Sequence, residues 1–266
     1  MTVPVMLSVA GSDPSGGAGI QADLKTATAL GVYGAAVITS LTAQNTTGVS
    51  GIFGVPAEFV ARQYESVVTD LDVHALKIGM LGSADVVVAL AEAMRRYPVR
   101  HVVLDPVMVA TSGDRLVPED TVDAIRTHLL PLASVVTPNL LEAGTLLGWP
   151  APRERGEMAA AAAALRELGA GAALVKGGHL TDTTSDDVLV DAEGAAEFAS
   201  ARVATGNTHG TGCTLSSAIA SMLVRRLPLR QAVEEAKNYV TGALRGGADL
   251  HVGAGSGPVD HLWRER

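Results

Sequence analysis

Val5-Met6-Leu7-Ser8-Val9-Ala10-Gly11-Ser12-Asp13-Pro14-Ser15-Gly16-Gly17-Ala18-Gly19-Ile20-Gln21-Ala22-Asp23-Leu24-Lys25 sets an apolar run, a glycine-rich loop and a helical pattern in direct succession. Val5–Val9 is apolar at almost every position, as in a strand buried on both faces of a sheet. The same rhythm recurs. Ala35–Leu41, Ala75–Ile78, His101–Leu104, Val135–Thr137 and Ala172–Val175 read as further strands. Ala18–Leu30, Ala57–Asp70, Ala84–Arg96, Glu119–Leu130 and Met158–Leu168 carry apolar residues at helical spacing between them. Such β-α alternation predicts an α/β fold: a mostly parallel, doubly wound sheet with helices on both faces. After Gly178 the rhythm changes to an edge hairpin, Asp187–Val190 and Ala196–Ala199 flanking Asp191-Ala192-Glu193-Gly194. Two helices, about Thr211–Arg225 and Leu229–Leu244, close the chain. Pro150-Ala151-Pro152 reads as a loop and Gly253–Gly257 as a terminal turn. With no linker-like break in composition, residues 1–266 are expected to form a single domain.

Composition narrows the function. Hydrophobic residues make up 47% and charged residues 18%, enough for a large core, which must be aliphatic because aromatics are 3%. A net charge of −8 with no basic run argues against a nucleic-acid surface. The one cysteine, Cys213, removes any intramolecular disulfide framework and any cysteine-based zinc site. No signal-like start and no membrane-length apolar run are present, so a cytoplasmic protein with no membrane partner is expected.

Ligands of such sheets bind at the carboxyl ends of the strands. Gly11–Asp13, Thr42–Asn45, Gly79–Met80, Asp105–Pro106, Pro138–Glu142 and Lys176–His179 would converge on that rim. Gly206-Asn207-Thr208-His209-Gly210-Thr211-Gly212-Cys213 precedes an apolar helical run, and a glycine turn at a helix N-terminus can hold phosphate or a developing oxyanion. The same pattern also fits a plain loop-to-helix junction. Cys213 in the first turn is a candidate proton acceptor with lowered pKa, or a small buried hydrophobe. Asp23 is either a hydrogen-bond acceptor for a substrate wrapped by the N-terminal loop or a surface helix residue. Asn139 and Glu142, three apart, fit either oxygen ligands near a hydrated Mg²⁺ or a capping box. Asp105 is a second candidate near the metal, and Lys176 ends a strand where it could steady a phosphate. Gly17-x-Gly19-x-x-Ala22 is a poor dinucleotide fingerprint, and no Walker A loop occurs, which weighs against a dehydrogenase and a P-loop enzyme.

The opening Ala10–Lys25 stretch resembles the bacterial hydroxymethylpyrimidine/phosphomethylpyrimidine kinases of thiamine biosynthesis. So do Thr42-Ala43-Gln44-Asn45-Thr46, Lys77-Ile78-Gly79-Met80-Leu81, Asp105-Pro106-Val107-Met108, Thr137-Pro138-Asn139, Val175-Lys176-Gly177-Gly178-His179 and Thr208–Cys213. The match runs in order from about Val5 to Ala248. It implies a three-layer α/β/α ribokinase-like fold and a homodimer. It implies Mg²⁺ with ATP as phosphoryl donor, and two successive phosphorylations of an aminopyrimidine alcohol.

By the same resemblance, Gln44 hydrogen-bonds the pyrimidine, with Gly11 and Asp23 in the same pocket and Met80 and Val107 as apolar walls. The amides of Gly210, Thr211 and Gly212 stabilise the transferred phosphoryl group, and Cys213 is the base where sugar kinases of this class have an aspartate. Glu142, Asn139 and Asp105 organise Mg²⁺ and its waters, and Lys176 and Lys237 lie near ATP. His209 either contacts the phosphorylated intermediate or is a structural loop residue. Ala110-Thr111-Ser112-Gly113-Asp114-Arg115 is either a flap or an ordinary polar turn. Related pyridoxal kinases, or a silent ligand-binding protein on the same scaffold, are the competing expectations.

Overall fold

In a computed structural model, which describes residues 3–108, 118–178 and 184–266, the β-α rhythm becomes one sheet. Its strands are β1 (Val5–Ser12), β2 (Tyr33–Asn45), β3 (Gly48–Gly54), β4 (Val73–Ile78), β5 (His101–Leu104), β6 (Val135–Val136), β7 (Ala173–Lys176), β8 (Thr184–Asp191) and β9 (Gly194–Ala201). They lie in the order β3-β2-β1-β4-β5-β6-β7-β8-β9. The six strands from β2 to β7 run parallel. β3 pairs antiparallel at one end, and β8 and β9 form the expected hairpin at the other. The chain leaves β1 first toward β2 and later toward β4, so a topological switch point opens beside β1.

Helices α1 (Gly19–Ala29), α2 (Ala57–Val68), α3 (Ala84–Arg96), α4 (Glu119–Ala124), α5 (Leu140–Leu147), α6 (Arg155–Glu167), α7 (Thr211–Val224) and α8 (Leu229–Gly247) cover the two faces. One aliphatic core packs α2, α3, α5 and α6 on the sheet through Val60, Leu90, Leu146 and Leu165. The opposite core packs α1, α7 and α8 through Ala27, Ile219 and Val233. The alternation of apolar runs and amphipathic helices thus yields three layers.

The hairpin strands β8 and β9 run longer than the expected Asp187–Val190 and Ala196–Ala199, and three further elements depart from the sequence expectation. The helix expected over Glu119–Leu130 ends as α4 at Ala124 and continues as one π turn at Ile125–Leu129 and a 3₁₀ turn at Leu130–Leu132. Pro131 has no N–H to give and disfavours a regular helix at the residue before it. β2 does not stop at Leu41 but continues to Asn45, so Thr42–Asn45 is strand. It does so because Gly48–Gly54, too rich in glycine to show a β-branched run, pairs with it as β3. The flap candidate 110–115 and His179 lie outside the described residues.

Candidate active site

A cleft of about 620 Å³ lies at the carboxyl ends of the strands, bordered by segments from β1, β2, β4, β5, β7 and the start of α7. Gly210 is the N-cap of α7 with φ +79°. A Cβ there would fall 1.8 Å from the Gly17 carbonyl oxygen, so only glycine fits both the left-handed backbone and the approach of the N-terminal loop. The first amides of a helix have no intrahelical partner. Thr211 N is turned to the Thr208 carbonyl at 3.2 Å, whereas no acceptor meets the amides of Gly210, Gly212 and Cys213 among the described residues. Gly210, Gly212 and Cys213 all border the cleft, which makes their three amides the candidates for an anion site. The expected Thr211 amide is engaged elsewhere.

An ammonium stands against this turn. A Cβ on Gly212 would lie 3.3 Å from Lys176 Nζ and 4.0 Å from Asp105 Oδ2. Lys176 Nζ is 2.7 Å from Asp105 Oδ1 and 3.9 Å from Glu142 Oε2, and Ser216 Oγ donates to Asp105 Oδ2 at 3.1 Å. Burial opposes ionisation of Asp105, but Lys176 and Lys77 outweigh it and hold the carboxyl below its ordinary range. Burial, helped by Asp105 and opposed by Lys176, pushes Glu142 up to about 7. The capping-box reading of Pro138–Glu142 is the one observed. Asn139 Oδ1 accepts from Glu142 N at 2.9 Å while Glu142 Oε2 accepts from Asn139 N at 2.7 Å, a reciprocal capping box, and both side chains border the cleft. Among the described residues no group of three or more His, Cys, Asp and Glu could enclose a metal. Two carboxylates beside a phosphate site nevertheless fit Mg²⁺, which keeps its waters and uses one or two carboxylates plus substrate phosphates. Lys237 also borders the cleft, but as a partner of Asp187, with Nζ 2.6 Å from Oδ2.

On the other side of the cleft Gln44 sits where the β2–β3 pairing is irregular, Ala43 opposing Gly51 and Gln44 opposing Val49, so that Ser50 of β3 is the extra residue. Thr42 Oγ1 is 3.1 Å from Gln44 Oε1 and 2.9 Å from the Ser12 carbonyl. Met80 and Val107 form apolar wall, and a Cβ on Gly11 would strike Met80 Cε at 2.6 Å. His209 is buried and its Nε2 lies 2.8 Å from Asp13 Oδ2. Asp13 also accepts from the Ser15 amide and hydroxyl and the Ala18 amide. Burial raises its pKa, yet His209 and these donors outweigh it and bring it to about 2.

Two expectations are corrected. Asp23 does not border the cleft. It is fully buried, bound by Lys77 Nζ at 2.9 and 3.0 Å, Ser8 Oγ at 2.5 Å and Ser217 Oγ at 2.6 Å. It ties β1, α1, β4 and α7 together beneath the site. Cys213 borders the cleft, but burial pushes its thiol up to about 11, and the lowering by Lys77 is outweighed. The helix terminus does not overcome desolvation. The sequence reading did not single out Lys77, Asp13, Asp187 or Ser216 as site residues. A lysine amid the apolar Ala75–Ile78 run and the place of Asp13 in the rim segment Gly11–Asp13 were the available signals.

Fold and site together define a small-molecule kinase of the ribokinase-like class. A family model described as phosphomethylpyrimidine kinase matches residues 13–260. The chain is 51% identical over 260 residues to the hydroxymethylpyrimidine/phosphomethylpyrimidine kinase of Rhizobium meliloti (strain 1021), covering 98% of this chain and 97% of that one. Among solved structures it is similar to the ADP complex of Bacillus subtilis pyridoxal kinase, with TM-score 0.91 and 33% identity over 99% of both chains. It is also similar to phosphomethylpyrimidine kinase from Clostridium difficile 630, with TM-score 0.81 and 37% identity over 91% of this chain and 100% of that one. The chain belongs to the phosphomethylpyrimidine kinase family. It is a phosphotransferase of thiamine biosynthesis.

Proposed function

We propose that the cleft phosphorylates 4-amino-5-hydroxymethyl-2-methylpyrimidine with Mg-ATP and then phosphorylates the resulting monophosphate to the diphosphate. The observation that carries this reading is the placement of Gln44 and the free amides of the α7 turn, with Lys176 beside them, on one cleft. Gln44 offers both an acceptor and donors to an aminopyrimidine edge. Gly11, Met80 and Val107 shape the space around the ring. The amides of Gly210, Gly212 and Cys213 and the Lys176 ammonium stabilise charge on the phosphoryl group in flight. Asn139, Lys176 and Lys237 serve the nucleotide side. Glu142 and Asp105 would hold Mg²⁺ through its waters, and the ion supplies neutralisation of the phosphate charge. Cys213 takes the proton of the alcohol. It can do so only as thiolate, so with a resting thiol near 11 its help grows with pH. His209, fixed by Asp13, contacts the monophosphate.

Residues 1–266 act as one kinase domain in the cytoplasm, without nucleic acid or membrane. Among the described residues no helix is long and apolar enough to cross a bilayer. The chain is proposed to pair as a homodimer through the exposed Leu41, Ile52, Phe53 and Phe59 near the β2–β3 edge. A light-scattering mass of one chain would contradict that. The structural likeness to a pyridoxal kinase favours a second reading, pyridoxal as acceptor. Fold likeness does not sort substrates, and the 51% relative is named for pyrimidines. Comparison of kcat/KM for ATP consumption with the two alcohols is expected to favour the aminopyrimidine by about tenfold or more, ~1.4 kcal/mol of transition-state preference. A preference for pyridoxal would overturn the reading.

A further inference from the structure

A second cavity, about 310 Å³, opens between the β2–β3 turn and the glycine-rich segment that follows α8. Gln44 and His209 border both it and the main cleft, so the two are continuous at those side chains. Its walls are built rather than loose. Asn45 Oδ1 accepts from the Thr47 amide at 2.9 Å and hydroxyl at 2.6 Å. Gly255 N donates to Thr46 Oγ1 at 3.1 Å, and a Cβ on Gly255 would fall 2.0 Å from the Thr46 carbonyl oxygen. The His209 amide donates to the Gly257 carbonyl at 3.0 Å, which anchors the segment beside the anion turn. Ser256 completes the wall from the far side.

The two proposed reactions make different demands on space. The γ-phosphoryl group is delivered at the α7 turn in both, so the attacking oxygen must reach the same point each time. In the first reaction that oxygen is on the hydroxymethyl carbon. In the second it belongs to a phosphate interposed between that carbon and the donor, so the ring must sit one phosphate farther from the turn. Met80, buried against Gly11, closes one wall of the main cleft. The second cavity opens past Gln44. Its lining holds hydroxyls, the two carboxamides of Gln44 and Asn45, backbone and His209, with no lysine or arginine among the described residues. That lining suits a neutral polar heteroaromatic ring and is poor for a phosphate, which would stay with the amides and Lys176.

Resting on the two-step reading above, we propose that this second cavity is the ring subsite of the second phosphorylation, into which the pyrimidine withdraws while Gln44 keeps its contact. In that step the bond from the γ-phosphorus to the ADP oxygen breaks, its electron pair leaving with ADP. A new P–O bond forms from an already ionised oxygen of the monophosphate, and no proton has to be removed.

The test fills the cavity from opposite walls, with Ser256→Phe and Thr47→Trp, each checked for wild-type-like thermal unfolding. With saturating Mg-ATP, kcat/KM is measured for the alcohol and for its monophosphate. The expected result is a fall of about tenfold or more in the monophosphate-to-alcohol ratio, carried by the KM of the monophosphate. A ratio within about twofold of wild type in both folded variants, whether the two rates stay intact or fall together, overturns the subsite. A wild-type enzyme that phosphorylates neither acceptor would instead overturn the two-step reading.

Discussion

His209 Nε2 and Asp13 Oδ2 lie 2.8 Å apart across 196 positions of sequence, and the pair holds the N-terminal glycine loop against the anion turn. The same approach places the Gly17 carbonyl where a Cβ on Gly210 would be. Asp13 titrates in the folded protein at about 2, below its ordinary 3.8. Its ionised form therefore stabilises the fold above pH ~4, and that stability is lost as pH falls from about 4 through about 2. The contribution is on the order of 2 kcal/mol. Asp13→Asn should lower stability at pH 7 and flatten the acid limb of urea-unfolding free energy against pH. An acid limb unchanged in the variant would contradict the role given to the pair.

The Asp23–Lys77 pair is wholly buried. Lys77→Met leaves an unpaired buried carboxylate and should cost about 3–5 kcal/mol. The double variant Asp23→Asn with Lys77→Met removes both charges and should recover most of that loss. Urea titrations of the three proteins decide it. A double variant no more stable than Lys77→Met would show that the charges are not the origin of the cost.

Cys213 is the only cysteine, so its titration can be read without interference. With the thiol near 11, alkylation by iodoacetamide should rise about tenfold per pH unit between pH 7 and 10 without reaching a plateau. The rate of the first phosphorylation should rise with pH in wild type, and Cys213→Ala should lose about 10²-fold or more of it at high pH. The second phosphorylation needs no proton removed, because a phosphate monoester loses its second proton near pH ~6. It should change far less in the same variant. Equal losses in both reactions would remove Cys213 from proton transfer.

The layers of this fold were legible because buried parallel strands and amphipathic helices leave continuous and periodic apolar patterns. His101–Leu104 and Ala84–Arg96 match the observed strand and helix at both ends. β3 left no such pattern, since an exposed edge strand with three glycines is held by pairing with β2 and not by its own side chains. At the site, glycines and strand-end polar residues marked the rim correctly. The role of Asp23 was not readable, because its meaning depends on Lys77, 54 positions away, and on Ser217, 194 positions away. Of the two readings of Cys213, the lowered pKa fails and the buried thiol holds, for a related reason. A helix N-terminus is visible in sequence, whereas the desolvation that outweighs it exists only once α7 has packed.

One cleft is proposed to carry the alcohol through two successive phosphorylations. Time-resolved mass spectrometry of the products from Mg-ATP and 4-amino-5-hydroxymethyl-2-methylpyrimidine tests it most directly. The monophosphate should appear first and then be converted to the diphosphate by the same purified chain. Unchanged alcohol, or a monophosphate that accumulates with no diphosphate at any time, would contradict it.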